Sequence, residues 1–169
     1  MTFKCLMSLN SSPMLPNYKS ILPEYGDICR IWIYTANRAI SSAEEQEIQP
    51  VLNDFVSKWA THGKGMRASS TIIDQRFIVI VSDEEVTSAS GCSIDSSVRL
   101  VKSIGSQFNI DFFNRLKVVV LNEGEQSFVS IHSLSNYPNA LVYNPLIQSL
   151  GELRNTWLEP VSKSVLLSV

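Results

Sequence analysis

The stretch Ser88-Ala-Ser-Gly-Cys-Ser-Ile-Asp-Ser-Ser97 joins an apolar run that reads as a strand to one that reads as a helix, and puts Cys92 at the helix start. A helix N-terminus carries free N–H donors and partial positive charge, which favours a cysteine thiolate. With His62 as base and Asp83 as orienting carboxylate, Cys92 would serve as the nucleophile of an acyl-transfer or hydrolytic site. The plainer reading of the same residues has Gly91 supply a turn, Ser90 or Ser93 cap the helix, and Cys92 fill a small buried space.

Those residues meet only if the elements around them are ordered correctly. Ile28 to Thr35 is β-branched and aromatic and reads as a strand, with Cys29, Ile31 and Ile33 on one face and Arg30, Trp32 and Tyr34 on the other. Ser41-Ser-Ala-Glu44 is a capping box, so a helix starts there, with Ile48, Leu52, Phe55 and Trp59 on one stripe, a kink or a fresh helix start expected at Pro50 and a stop near Gly63. Met66–Ile73 and Arg76–Val81 read as two strands with a tight turn at Asp74 and Gln75. A second helix follows, its stripe being Ile94, Val98, Val101, Ile104 and Phe108. Leu116–Leu121 is the next strand, turning at Asn122–Glu125 into Phe128–Ile131, with a further short strand at Ala140–Tyr143.

The order predicts an α+β fold, the ferredoxin-like split β-α-β sandwich (βαββαβ), with extra C-terminal strands. Residues 1–27, with Pro13, Pro16 and Pro23, form an irregular arm whose Leu15, Tyr18, Ile21 and Leu22 pack on the domain of residues 28–169. In this topology the first and third strands run oppositely. One end of the sheet therefore gathers Cys92, Ser93, Gly91, Asp83, Glu84, His62 and Lys64, a candidate ligand-binding end. The other sheet face would carry Trp32 and Tyr34, with Phe77 across from them, covered by the C-terminal segment or by a second subunit.

Bulk composition narrows the functions. The 169 residues, 44% hydrophobic and 18% charged, suit one self-folding domain. A net charge of −2 offers no basic excess for phosphate contacts, so DNA binding is not expected. RNA stacking on Trp32, Tyr34 and Phe77 is a secondary reading, since Gln75-Arg-Phe-Ile-Val79 lacks the usual basic, glycine-containing pattern. Three unpaired cysteines (Cys5, Cys29, Cys92) and no long apolar segment are read as a cytoplasmic protein without a membrane span or secretory leader. Asp83-Glu-Glu85 reads as a solvated acidic loop and no metal site is expected. Gly63-Lys-Gly-Met66 lacks the spacing of a phosphate-binding loop, and no motif implies a cofactor. Asn37 and Arg38, at the other end, precede a capped helix start that could bind an anion, and the preferred reading of Arg38 is a solvated or structural ion pair.

Three segments, Trp32-Ile-Tyr-Thr-Ala-Asn-Arg38, Trp59-Ala-Thr-His-Gly63 and Ala89-Ser-Gly-Cys-Ser-Ile-Asp-Ser-Ser-Val98, resemble a family of small uncharacterised bacterial proteins often labelled "ABC transporter ATPase". The resemblance runs from about Cys29 to Trp157. It implies a transporter association but no catalytic residue, because neither the phosphate-binding loop nor the L-S-G-G-Q signature of such ATPases occurs here. The leading expectation is a non-catalytic binding or regulatory module for a small ligand or protein partner. A Cys92-dependent enzyme and an RNA-binding module are the alternatives, and a homodimer through the aromatic sheet face is a further expectation.

Overall fold

The computed structural model describes residues 15–168. In chain order the elements are β1 (Arg30–Thr35), α1 (Ser42–Lys58), β2 (Ala60–Thr61), β3 (Lys64–Gly65), β4 (Ala68–Ile73), β5 (Phe77–Ser82), α2 (Gly91–Phe108), β6 (Lys117–Asn122), β7 (Glu125–Ser130), β8 (Leu141–Tyr143), α3 (Leu150–Asn155) and β9 (Leu158–Pro160). The fold is mixed α+β with antiparallel sheets.

One sheet has the order β1-β5-β4, and a second has the order β7-β6-β8-β9. The ferredoxin-like expectation puts β6 beside β1 as a fourth strand of the first sheet. The chain does otherwise, and burial gives the reason. Val118 and Val120 face one way and Val119 and Leu121 the other, and all four are buried. A strand apolar on both faces needs cover on both, which the middle of a second sheet supplies. The edge of β1 is taken by residues 148–150 instead: the Ile31 N–H donates to the Gln148 carbonyl (3.0 Å) and the Leu150 N–H to the Cys29 carbonyl (2.9 Å).

Three apolar layers result. Helices α1 and α2 cover one face of the first sheet, burying Tyr34, Ile78 and Ile80 with Ile48, Leu52, Val101 and Ile104. Between the two sheets lie Ile31, Phe77, Val79 and Val81 with Val119, Tyr143 and Trp157. The outer face of the second sheet, Val118, Val120 and Val142, is closed by Leu134, Val161 and Leu166.

Both faces of the first sheet are therefore covered, and the face of Trp32 and Tyr34, expected to lie under the C-terminal segment or a second subunit, is covered by α1 and α2 instead. Trp32 and Tyr34 point toward the helices. Phe77, opposite Thr35 in the register, points toward the second sheet and is 2% exposed. The three rings form no common platform for stacking bases.

Helix α1 starts as the capping box predicts: Ser41 Oγ accepts from the Glu44 N–H (3.2 Å) and the Glu44 carboxylate from the Ser41 N–H (2.8 Å). It runs through Pro50 as one element, and it stops before Gly63 because Trp59 is already extended (φ −67°, ψ 126°). Gly63 belongs instead to the two-residue turn of the β2–β3 hairpin, where His62 (φ 49°) and Gly63 (φ 76°) both take positive φ.

Helix α2 packs differently from its apolar stripe. Its fully buried positions are Ser93, Ser97, Val101, Ile104 and Gly105, whereas Ile94 and Val98 are half-buried. Small residues let its first half approach the sheet, and Ser97 Oγ hydrogen-bonds the Tyr34 hydroxyl (2.9 Å). Gly105 serves the same purpose at the far end, where an added Cβ would lie 2.6 Å from the Ile110 carbonyl oxygen.

The described part of the N-terminal arm is built into the fold. Tyr18 and Tyr25 are buried, and Arg154 of α3 donates to the carbonyls of Ile21, Leu22 and Tyr25 and to Asp27 Oδ1.

Candidate functional site

The loop between β5 and α2 is shaped mainly by local hydrogen bonds. Asp83 Oδ1 accepts from the Glu85 N–H (3.1 Å), and Glu84 Oε1 accepts from the Ala89 N–H (3.0 Å) and from Arg30 Nη1 (3.4 Å). Ser90 and Ser93 then cap α2 reciprocally: Ser90 Oγ accepts from the Ser93 N–H (3.2 Å) and Ser93 Oγ from the Ser90 N–H (2.8 Å). The signal for this cap is present in the sequence, with serine where glutamate usually stands at the third helical position.

Cys92 is the second residue of α2 and its side chain is exposed, so it is not the buried filler of the plainer reading. His62 and Lys64 are exposed on the β2–β3 hairpin. Asp83 is buried and gives its other oxygen to Arg67 Nη1 (2.8 Å). Among the described residues no hydrogen bond joins Cys92, His62 and Asp83. Ser93 is buried in the cap, and Gly91 has open space where a Cβ would stand. Glu84 is committed to Ala89 and Arg30. Trp32 is half-buried between the Arg30 guanidinium, 4.8 Å from its ring, and the edge-on ring of Trp59, 5.4 Å away. Tyr34 is buried against Ser97, and burial raises its pKa.

One helical turn beyond Cys92, on the same face of α2, begins a feature the sequence reading missed. A groove of about 740 Å³ lies between α1 and α2, lined by Val51, Phe55 and Trp59 on one side and Ser96 and Leu100 on the other. Its floor is rigid. Trp59 Nε1 donates to the Ser93 carbonyl (2.8 Å) and to Ser96 Oγ (3.2 Å), and the Phe55 ring lies 5.4 Å from that of Trp59. The Ser96 hydroxyl donates to the same Ser93 carbonyl (2.6 Å), and at the rim Lys58 pairs with Asp54 (2.6 Å). Every polar hydrogen of the floor is used internally. Val51, 44% exposed and off the buried stripe of α1, was the available clue.

A second polar group sits at the opposite end, by the β4–β5 turn. Asp74 and Gln75 both have positive φ, and Asp74 Oδ2 accepts from the hydroxyls of Tyr18 and Tyr143, the latter at 2.9 Å. Burial, then hydrogen bonding, raises the Tyr18 pKa, and burial pushes Tyr143 up to about 12. Arg76 is buried beside them, its Nε donating to Gln126 Oε1 (3.1 Å), and burial lowers its pKa. Arg38, as expected, is paired: both its Nη atoms reach the Glu44 carboxylate, and that hydrogen bonding, joined by the Ser41 N–H, brings Glu44 down to about 2.

Among the described residues no cluster of histidine, cysteine and carboxylate side chains is placed to hold a metal ion, and no helix is long and apolar enough to cross a membrane. In comparisons with known proteins, no family model, no curated protein and no solved structure matches the chain.

Proposed function

We propose that this protein is a small non-catalytic binding module whose ligand is an apolar or aromatic small molecule seated between α1 and α2. The carrying observation is the groove itself. Its size falls within the ~300–1,000 Å³ usual for small-molecule sites, its floor is two packed aromatic rings, and the polar hydrogens of that floor are already used. A ligand that needed buried hydrogen bonds would find no free partner on that floor. Cys92 marks one end of the groove without being required by it.

Titration with the uncharged fluorophore N-phenyl-1-naphthylamine tests this reading. Val51→Asp and Leu100→Asp are expected to weaken binding by roughly tenfold or more, since a charge then faces the apolar floor. Cys92→Ser is expected to bind as the parent does. Equal affinity in all four proteins overturns the assignment of the site, and loss of binding with Cys92→Ser alone returns the cysteine-dependent enzyme to first place.

In this reading the protein is cytoplasmic, where free thiols such as Cys29 and Cys92 persist. The β1–α1–β4–β5–α2 portion is taken as a ferredoxin-like unit without its last strand, since the order β1-β5-β4 is that of its first three strands. The transporter association implied by the family resemblance contributes no residue to the groove.

A further inference from the structure

We infer that residues 15–28, the described part of the N-terminal arm, form a strap, and that its seating controls the order of the loop leading into the groove helix, with Arg67 as the joint. The inference concerns regulation of the proposed groove and takes its functional meaning from that reading. Its physical content is a coupling between two segments far apart in sequence.

The arm has no helix or strand between Leu15 and Cys29, so side chains from the body hold it at three places. At the β4–β5 turn end, the Tyr18 hydroxyl is bound by Asp74 and Tyr143. In the middle, Arg154, only 12% exposed, directs Nε, Nη1 and Nη2 at the arm. Gly151, one turn earlier in α3, lets Asp27 approach so closely that an added Cβ would lie 2.9 Å from the Asp27 Cβ. At the far end the Arg67 guanidinium lies over the Tyr25 ring, 5.1 Å from its centre, and its Nη2 donates to the Glu24 carbonyl (2.9 Å).

The third attachment is shared. While Nη2 of Arg67 holds the arm, its Nη1 holds Asp83 (2.8 Å), the first residue of the loop that runs to the cap of α2. The Arg67 backbone joins in, its carbonyl accepting from the Asp83 N–H (2.9 Å). Other ties of that loop are local, apart from the Arg30–Glu84 contact at 3.4 Å. With the arm unseated, Arg67 loses the ring and the carbonyl that orient its guanidinium, and Asp83 loses an oriented partner. The loop before Ser90 then opens more readily, and with it the first turn of α2, on which Trp59 rests through the Ser93 carbonyl.

Hydrogen exchange read by peptide mass spectrometry tests this without any ligand, so its result is independent of whether the groove binds a probe. Arg154→Gln is expected to speed exchange in residues 18–27 and in residues 84–89 by about fivefold or more while leaving β6 unchanged. Tyr18→Phe, which keeps the ring in the core, gives the same pattern in weaker form and serves if Arg154→Gln does not fold. In an Arg67→Gln background either substitution is expected to speed the arm alone. The inference is overturned if the loop keeps its parent rate while the arm loosens, if it responds equally without Arg67, if β6 accelerates in step, or if neither variant loosens the arm.

Discussion

The two ends of the first sheet are held in different ways. At the β4–β5 turn, Asp74 is joined to residues 56 and 69 positions away, Tyr18 and Tyr143, and the cluster is continuous with the aromatic core around Trp157. At the other end, the loop into α2 combines local bonds, Glu84 to Ala89 and Ser90 to Ser93, with two ion pairs to the body at half-exposed arginines, Arg67 to Asp83 and Arg30 to Glu84. Bonds that span the chain report on global folding, whereas short-range bonds can open without unfolding the rest. The end with the local bonds is also the end that carries the groove and Cys92, which is where adaptable structure is useful.

The largest effect that would test this contrast is at Trp157, which is 1% exposed and packs on Tyr18, Phe77 and Tyr143 with ring centroids 4.7 to 5.0 Å away. Trp157→Ala is expected to cost about 3–5 kcal/mol in urea unfolding, enough to unfold a marginally stable domain. A loss near that of an exposed residue would mean that the aromatic cluster does not organise the fold.

Alkaline pH should act at the same end. Tyr18 and Tyr143 have folded pKa values raised above the ordinary 10.0, Tyr143 to about 12, so the folded state favours their neutral forms. The Tyr143 contribution is present below the ordinary 10.0 and is lost as pH rises through about 12, because the unfolded chain ionises first, and Tyr18 acts in the same direction. The urea midpoint is expected to fall between about pH 10 and about pH 12, and Tyr143→Phe to flatten that fall. An unchanged slope in the variant would show that the phenol is not the linked group.

The smallest expected effect is at the groove end. Ser90→Ala removes one side of the α2 cap and should cost about 1 kcal/mol, with a local increase in amide exchange over residues 90–94. Exchange that rises equally across β6 would erase the proposed difference between the two ends.

Much of the local structure was legible because its cause is local. The Ser41–Glu44 box, the turn at Asp74–Gln75, the hairpin at Asn122–Glu125 and the packing of Tyr18, Ile21 and Leu22 all rest on near neighbours or on obvious burial need, whereas Leu15, expected to pack with them, is 62% exposed. What escaped depends on layers. Period-two alternation says that Trp32 and Tyr34 share a face, but not whether helices or a sheet will cover it. With both faces of β5 and β6 buried, alternation disappears and cannot tell one four-stranded sheet from two sheets. The buried serines of α2 were invisible to a search for apolar stripes, because close approach selects small side chains as well as oily ones. The groove escaped for a related reason: it arises where two helices fail to close over Phe55 and Trp59, and no single segment encodes that gap.

The strip of residues 148–150 along β1 also bears on behaviour in crowded solution. A bare strand edge is a template on which another chain can add, and such additions can propagate into aggregates. Here the bridge between Arg30 and Ser149 shields one edge of the first sheet, and at the other Gln49 Nε2 reaches the Ser70 carbonyl (3.3 Å). The C-terminal segment thus acts as a guard against intermolecular strand pairing in addition to filling the core.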